Sequence, residues 1–189
     1  MSDAVSPALA EQARTIAPRI DRPIVLVGLM GVGKSTVGRR LARLLGRSFV
    51  DADEEIERAA ARTVGEIFDE HGEAYFRAGE RRVIARLMDE RHGVIATGGG
   101  AFVDPQTRAL ILEQGIAVWL DCDVPTLVKR TARRDTRPLL RSGDPQTILA
   151  ELKDRRAPAY AEAPVHIMTD DSPHEATLAR ILERLQEWL

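Results

Sequence analysis

Short apolar runs and longer amphipathic stretches take turns along this chain. Ile24 to Val27, Phe49 to Asp51, Val94 to Thr97 and Ala117 to Leu120 are rich in β-formers, and Val165 to Met168 is a weaker fifth run. An apolar run without alternation predicts a strand covered on both faces, as in a parallel sheet flanked by helices. Between the runs, Val37, Leu41, Leu44 and Leu45 fall on one helical face, and Phe76, Val83, Ile84, Leu87 and Met88 on another. Both faces need a sheet to cover. The closing residues Leu178, Ile181, Leu182, Leu185, Trp188 and Leu189 recur at helical steps and predict an amphipathic helix packed on the core. The fold class is α/β, with no internal repeat.

A length of 189 residues suits one domain with one sizeable core. The net charge of −2 leaves no electrostatic footprint for nucleic acid or an anionic membrane, so any anion binding must be local. Cys122 is the only cysteine, which excludes an internal disulfide and points to a cytoplasmic protein. Residues 1–22 mix Asp3 and Glu11 with Arg14 and Arg19 and lack the apolar core of a signal peptide. They read as a frayed or loosely docked, flexible extension before a single domain at residues 23–189. The Pro- and Gly-punctuated stretch from Arg133 to Pro145 reads as a mobile loop. His71, His92, His166 and His174 show no metal-ligand spacing and read as surface or packing residues.

Gly28-Leu-Met-Gly31-Val32-Gly33-Lys34-Ser35 follows the first strand and opens a helix. Such a loop wraps a phosphate with its backbone N–H groups, which requires dihedrals and a close approach that glycine alone supplies cheaply. Lys34 adds a point charge at the β and γ phosphates of a nucleotide. Ser35 offers a hydroxyl to Mg²⁺, the one metal expected, and the helix presents its positive end. The loop itself does not separate a kinase from an ATPase or a GTPase.

Asp51 and Asp53 close the second strand, at the edge where open α/β sheets bind ligands. In extended backbone they project to one side, one toward a metal ion and the other toward a substrate hydroxyl. Capping a helix that begins near Glu54 is the plainer alternative. Gly98-Gly99-Gly100 ends the third strand, and three adjacent glycines suggest close passage of a ligand rather than a simple turn. Arg77 and Arg156 have the fork geometry to clamp a carboxylate, although arginines on helices are usually solvated. Asp135-Thr-Arg137-Pro-Leu-Leu140 has the composition of a closing lid, with Arg137 placed to neutralise charge on a transferred phosphoryl group.

From about Pro23 to the C-terminal helix these segments together resemble the shikimate kinase family. The resemblance is carried by Gly33 to Arg39, Asp51-Ala-Asp53, Phe76-Arg77, Gly98 to Gly100, Thr136-Arg-Pro-Leu-Leu140 and Arg156-Ala-Pro-Ala-Tyr160, in family order. It implies a three-layer P-loop fold with a five-stranded parallel sheet, a substrate-binding region at about residues 51–81 and a mobile lid at about 131–145. It further implies a cytoplasmic monomer that phosphorylates the 3-hydroxyl of shikimate with ATP, on the way to chorismate and the aromatic amino acids. Gly31, Val32, Gly33, Lys34, Ser35 and Thr36 then hold ATP, with Ser35 on Mg²⁺ directly and Asp51 through water. Asp53 binds the shikimate hydroxyls, Arg77 and Arg156 pair with its carboxylate, and Gly98, Gly99 and Gly100 line its ring. Arg137 reaches ATP from the lid, Arg130 stacks on adenine, and the loop near Ser172 approaches the base from the other side. Lys34, Asp53 and Arg137 form the catalytic set. Two other readings stay open at this point, a kinase for another small acid such as gluconate and a nucleotide-dependent switch.

Overall fold

The structure, a computed structural model, describes residues 5–90, 93–132 and 143–189. Five parallel strands, β1 (Ile24–Val27), β2 (Phe49–Asp51), β3 (Val94–Ala96), β4 (Ile116–Asp121) and β5 (Val165–Met168), lie in the order β2-β3-β1-β4-β5. The helices are α1 (Pro7–Ile16), α2 (Lys34–Leu45), α3 (Ala52–Ala60), α4 (Val64–Asp89), α5 (Pro105–Gln114), α6 (Val124–Thr131), α7 (Pro145–Tyr160) and α8 (His174–Trp188). Every residue of β1, β3 and β4 is buried, as the unalternating apolar runs require. β5 alternates buried and exposed residues because it is an edge strand covered on one face. That alternation is why it reads weakly in the sequence.

α2 presses on the sheet through Gly38, where an added Cβ would lie 2.5 Å from the Phe49 ring. In α8, Leu178, Ile181, Leu182 and Leu185 are buried, whereas Trp188 is 41% exposed at the frayed end. α4 is two helical pieces joined at Gly72, whose φ of 78° and ψ of 174° are costly for any residue with a side chain. A small second core of Ile56, Ile67 and Phe76 joins α3 to α4, apart from the main core over the sheet. No described helix is long and apolar enough to cross a membrane.

The N-terminal segment differs from the expected flexible extension. Ser6 caps α1, Pro7 occupies its first turn, and Leu9, Ala13, Ile16 and Ile20 are buried in the main core. α1 packs on α8 and α2. The Ser6 amide donates to Glu175 on α8 at 2.9 Å, and the Arg47 guanidinium donates to the carbonyls of Ala17 (3.0 Å) and Ile20 (2.5 Å). The apolar steps from Leu9 to Ile20 are helical, but polar and charged neighbours dilute them. Ile16 is 1% exposed, so Ile16→Ala should destabilise the protein by about 2–5 kcal/mol. Urea unfolding checks this, and a midpoint equal to wild type would mean the segment contributes nothing to the fold.

Candidate active site

The site forms at the C-terminal edge of the sheet, and parallel register sets its layout. Asp51, Ala96 and Leu26 are cross-strand neighbours, so the ends of β2, β3 and β1 lie side by side. Gly28 leaves β1 at φ 133°, and an added Cβ would sit 2.2 Å from the Leu120 carbonyl oxygen. Only glycine fits there. Gly31 turns back against Thr131 and Leu127 of α6, and Val32 anchors the loop in the core.

Gly33 stands at the N-cap of α2 and provides no side-chain cap, whereas α1, α3, α4, α5, α6 and α7 are each capped by a side chain. The first-turn amides of α2 are therefore left for an anion. Lys34 folds back over the loop and donates to the carbonyls of Gly28 (2.8 Å) and Leu29 (2.9 Å). The Ser35 hydroxyl donates to Asp51 Oδ2 at 2.5 Å, and Thr36 is exposed beside it.

Asp51 does two jobs at once. Its Oδ1 accepts from the Asp53 amide at 3.1 Å and caps α3, while its Oδ2 holds Ser35. The helix begins at Ala52, two residues before the expected start near Glu54, so Asp53 lies in the first helical turn rather than in extended backbone. The strand-to-helix corner, and not strand periodicity, therefore sets where the two aspartates lie. Burial, followed by repulsion from Asp51 and Glu80, pushes the Asp53 carboxyl up to about 6 against the opposing pull of Lys34.

The three glycines make room for the protein's own charged groups. A Cβ on Gly98 would lie 2.7 Å from Glu80 Oε1 and 2.9 Å from Asp53 Oδ1, and one on Gly100 would lie 2.2 Å from the Arg77 guanidinium. Arg156 donates to the Gly99 carbonyl at 2.9 Å, and the Tyr160 hydroxyl donates to the same oxygen. Burial raises the Tyr160 phenol to about 12, so it remains a donor near neutrality.

Arg77 lies against the rings of Phe76 (5.2 Å) and Phe68 (6.0 Å) and pairs with Glu80 at 2.6 Å. Glu80 is 1% exposed, and its Oε1 has no hydrogen-bond partner. Burial raises its pKa, with Arg77 acting against the shift. Sequence reasoning missed Glu80 because a Glu three residues after an Arg on a helix usually marks a solvated surface pair.

Arg77, Arg156, Gly100, Val103, Glu73 and Asp104 line a cavity of about 220 Å³. A larger apolar groove of about 480 Å³ lies between α3 and α4, lined by Ile56, Ile67 and Phe76 among others, and none of the loop residues borders it. The smaller cavity contains the groups that recognise a carboxylate. Arg130 lies on α6 and donates to the Asp170 carbonyl, linking it to the loop before α8 that contains Ser172. Arg137 and the expected lid core fall at residues 133–142, outside the described residues.

A parallel sheet that brings a phosphate loop and an arginine-lined cavity to one edge fits a P-loop small-molecule kinase. The chain belongs to the shikimate kinase family, whose family model matches residues 30–186, and it is an ATP-dependent kinase. It is 61% identical over 178 residues to the shikimate kinase of Novosphingobium aromaticivorans, covering 92% of each chain. It is 58% identical over 172 residues to that of Caulobacter vibrioides, covering 91% of this chain and 86% of the relative. A structure of shikimate kinase from Acinetobacter baumannii in complex with shikimate superposes with a TM-score of 0.86 at 38% identity, over 93% of this chain and 97% of that one. A gluconokinase from Sinorhizobium meliloti, with a TM-score of 0.62 at 18% identity over 89% of this chain and 94% of that one, shares the fold alone.

The raised pKa of Asp53 has a definite sign in stability. The folded protein holds this proton up to about pH 6, whereas the unfolded chain releases it near 3.8, so this group reduces stability as pH rises between those values. Asp53→Asn should therefore stabilise the ligand-free protein by about 1–3 kcal/mol at pH 8, with the gain shrinking toward pH 4. Thermal unfolding across that range checks it, and a gain independent of pH would contradict the electrostatic origin.

Proposed function

We propose that the chain transfers the terminal phosphoryl group of ATP to the 3-hydroxyl of shikimate, giving shikimate 3-phosphate and ADP in the route to the aromatic amino acids. The observation that carries this reading is the pair Arg77 and Arg156 lining one cavity with Gly100, in the same glycine run in which Gly98 lies against Asp53. Gly31, Val32, Gly33, Lys34, Ser35 and Thr36 cradle the ATP phosphates, and Lys34 exchanges its two carbonyl partners for phosphate oxygens. Arg130 and the loop containing Ser172 flank the base. Arg137 belongs to the lid that completes the donor side. Residues 51–81 carry the acceptor.

Asp53 is ionised above pH about 6, so it accepts a hydrogen bond from the acceptor hydroxyl. It can take that proton while the oxygen bonds to phosphorus and the bond to the ADP oxygen breaks. Because phosphoryl transfer has a loose transition state, holding the hydroxyl in line contributes more than basicity. Gly98, Gly99 and Gly100 admit the ring, and Arg77 and Arg156 hold the carboxylate.

Mg²⁺ fits the donor set. The Ser35 hydroxyl and the Asp51 carboxylate, joined at 2.5 Å beside the phosphate loop, would hold the ion, Ser35 as a direct ligand and Asp51 through water. Such a sparse oxygen set is what Mg²⁺ uses when phosphates and water complete its shell, and the bound ion supplies charge neutralisation at the phosphates.

ADP release should depend on shikimate and not on gluconate when the two are assayed side by side; the reverse result would overturn the substrate assignment. Arg77→Ala should weaken shikimate binding about 10–100-fold through loss of a charged hydrogen-bonding group, as measured by calorimetry. Lys34→Ala should lower kcat. Wild-type kcat/KM should fall as pH drops below about 6, where Asp53 takes up a proton. Asp53→Asn should bind shikimate more weakly. Wild-type affinity with lost turnover in that variant would make proton transfer, not positioning, its main role.

A further inference from the structure

The Arg77 guanidinium is shared by two carboxylates that differ in almost every respect. Glu80 takes Nη1 at 2.6 Å from a site only 1% exposed. Glu73 takes the other edge with a single oxygen, Oε1, at 3.3 Å from Nε and 3.2 Å from Nη2, and its side chain is 68% exposed. That Nε and Nη2 edge is a fork that accepts two carboxylate oxygens in parallel. Glu73 fills it poorly, with one oxygen at long range.

We propose that Glu73 is an internal competitor for the substrate's carboxylate and thereby sets the affinity for the acid substrate. The inference rests on the reading that Arg77 and Arg156 clamp that carboxylate. Glu73 lines the same cavity of about 220 Å³ as both arginines, together with Asp104. Arg77 already pairs with Glu73 and Glu80, and Asp104 adds a third carboxylate to the cavity wall, so an incoming carboxylate that takes the fork of Arg77 displaces an acceptor already there.

Glu80 cannot leave, because it is buried behind Gly98. Asp104 is held as the cap of α5, accepting from the Thr107 amide and hydroxyl at 2.8 Å each. Glu73 has Arg77 as its hydrogen-bonding partner among the described residues and stands largely in water, so it swings away at little desolvation cost. It follows directly on Gly72, where α4 kinks, so it sits in the first turn of the helical piece that carries Arg77.

The test is shikimate binding to nucleotide-free protein by calorimetry for wild type, Glu73→Gln and Arg77→Ala, with unchanged melting temperatures as the folding control. Glu73→Gln keeps the shape and removes the competing charge, so its dissociation constant for shikimate should tighten about two- to five-fold, as expected for loss of one exposed ion pair. The methyl ester of shikimate, which lacks the charge that competes, should bind both proteins equally. If Arg77→Ala weakens binding while Glu73→Gln binds no more tightly than wild type, the competitor role is overturned and Glu73 instead orients Arg77. If Arg77→Ala binds shikimate as wild type does, the carboxylate clamp itself is wrong.

Discussion

The site is built around the point where β1 passes beneath the Leu120 carbonyl. β1 has no exposed residue and is paired on both edges, so it cannot shift, and Gly28 must leave it in a backbone conformation closed to other residues. Register then does the rest. Asp51 on β2 aligns with Ala96 on β3, which aligns with Leu26 on β1, so the acidic corner, the glycine run and the phosphate loop emerge within two residues of one row. Thr97 locks this row by donating its amide (3.2 Å) and hydroxyl (3.0 Å) to the Leu26 carbonyl.

Around that row the charges are balanced internally but not comfortably. Asp53 and Glu80 both have raised pKa values because burial disfavours their ionised forms; Lys34 pulls Asp53 back, and Arg77, with a smaller contribution from Arg156, pulls Glu80 back. Lys34 donates to two backbone carbonyls, partners that phosphate oxygens can replace. Glu80 is different. It leaves one oxygen unpaired at 1% exposure, a cost of the kind proteins retain where a cation must be held in place. Arg77 is thereby fixed on one side by a buried group while its other side faces the cavity.

Much of this was legible because the sequence signals were local. The strands follow from apolar runs bounded by turns, and the loop from glycine spacing between a strand and a helix. The N-terminal helix was obscured because its apolar positions are interleaved with charged ones, although Ser6-Pro7 is a start signal. Asp51 and Asp53 were identified by position at the strand end, but the periodicity argument attached to them fails, since α3 has already begun at Ala52. Glu80 illustrates the limit of such reasoning. Its burial depends on Gly98, which is eighteen residues away in sequence and brought against it only by the fold. The three glycines were read as room for a ligand, whereas their first physical effect is room for Glu80, Asp53 and Arg77.

Two apolar clusters support the two sides of the site. The main core holds the sheet and the phosphate loop. Arg77 lies on the far piece of α4, beyond the Gly72 kink and against the separate cluster of Ile56, Ile67 and Phe76. The same helical piece is also held in the main core by Ile84, Leu87 and Met88, and Val83 touches both clusters, so a change in the small cluster reaches Arg77 through a helix whose other end is fixed against the sheet.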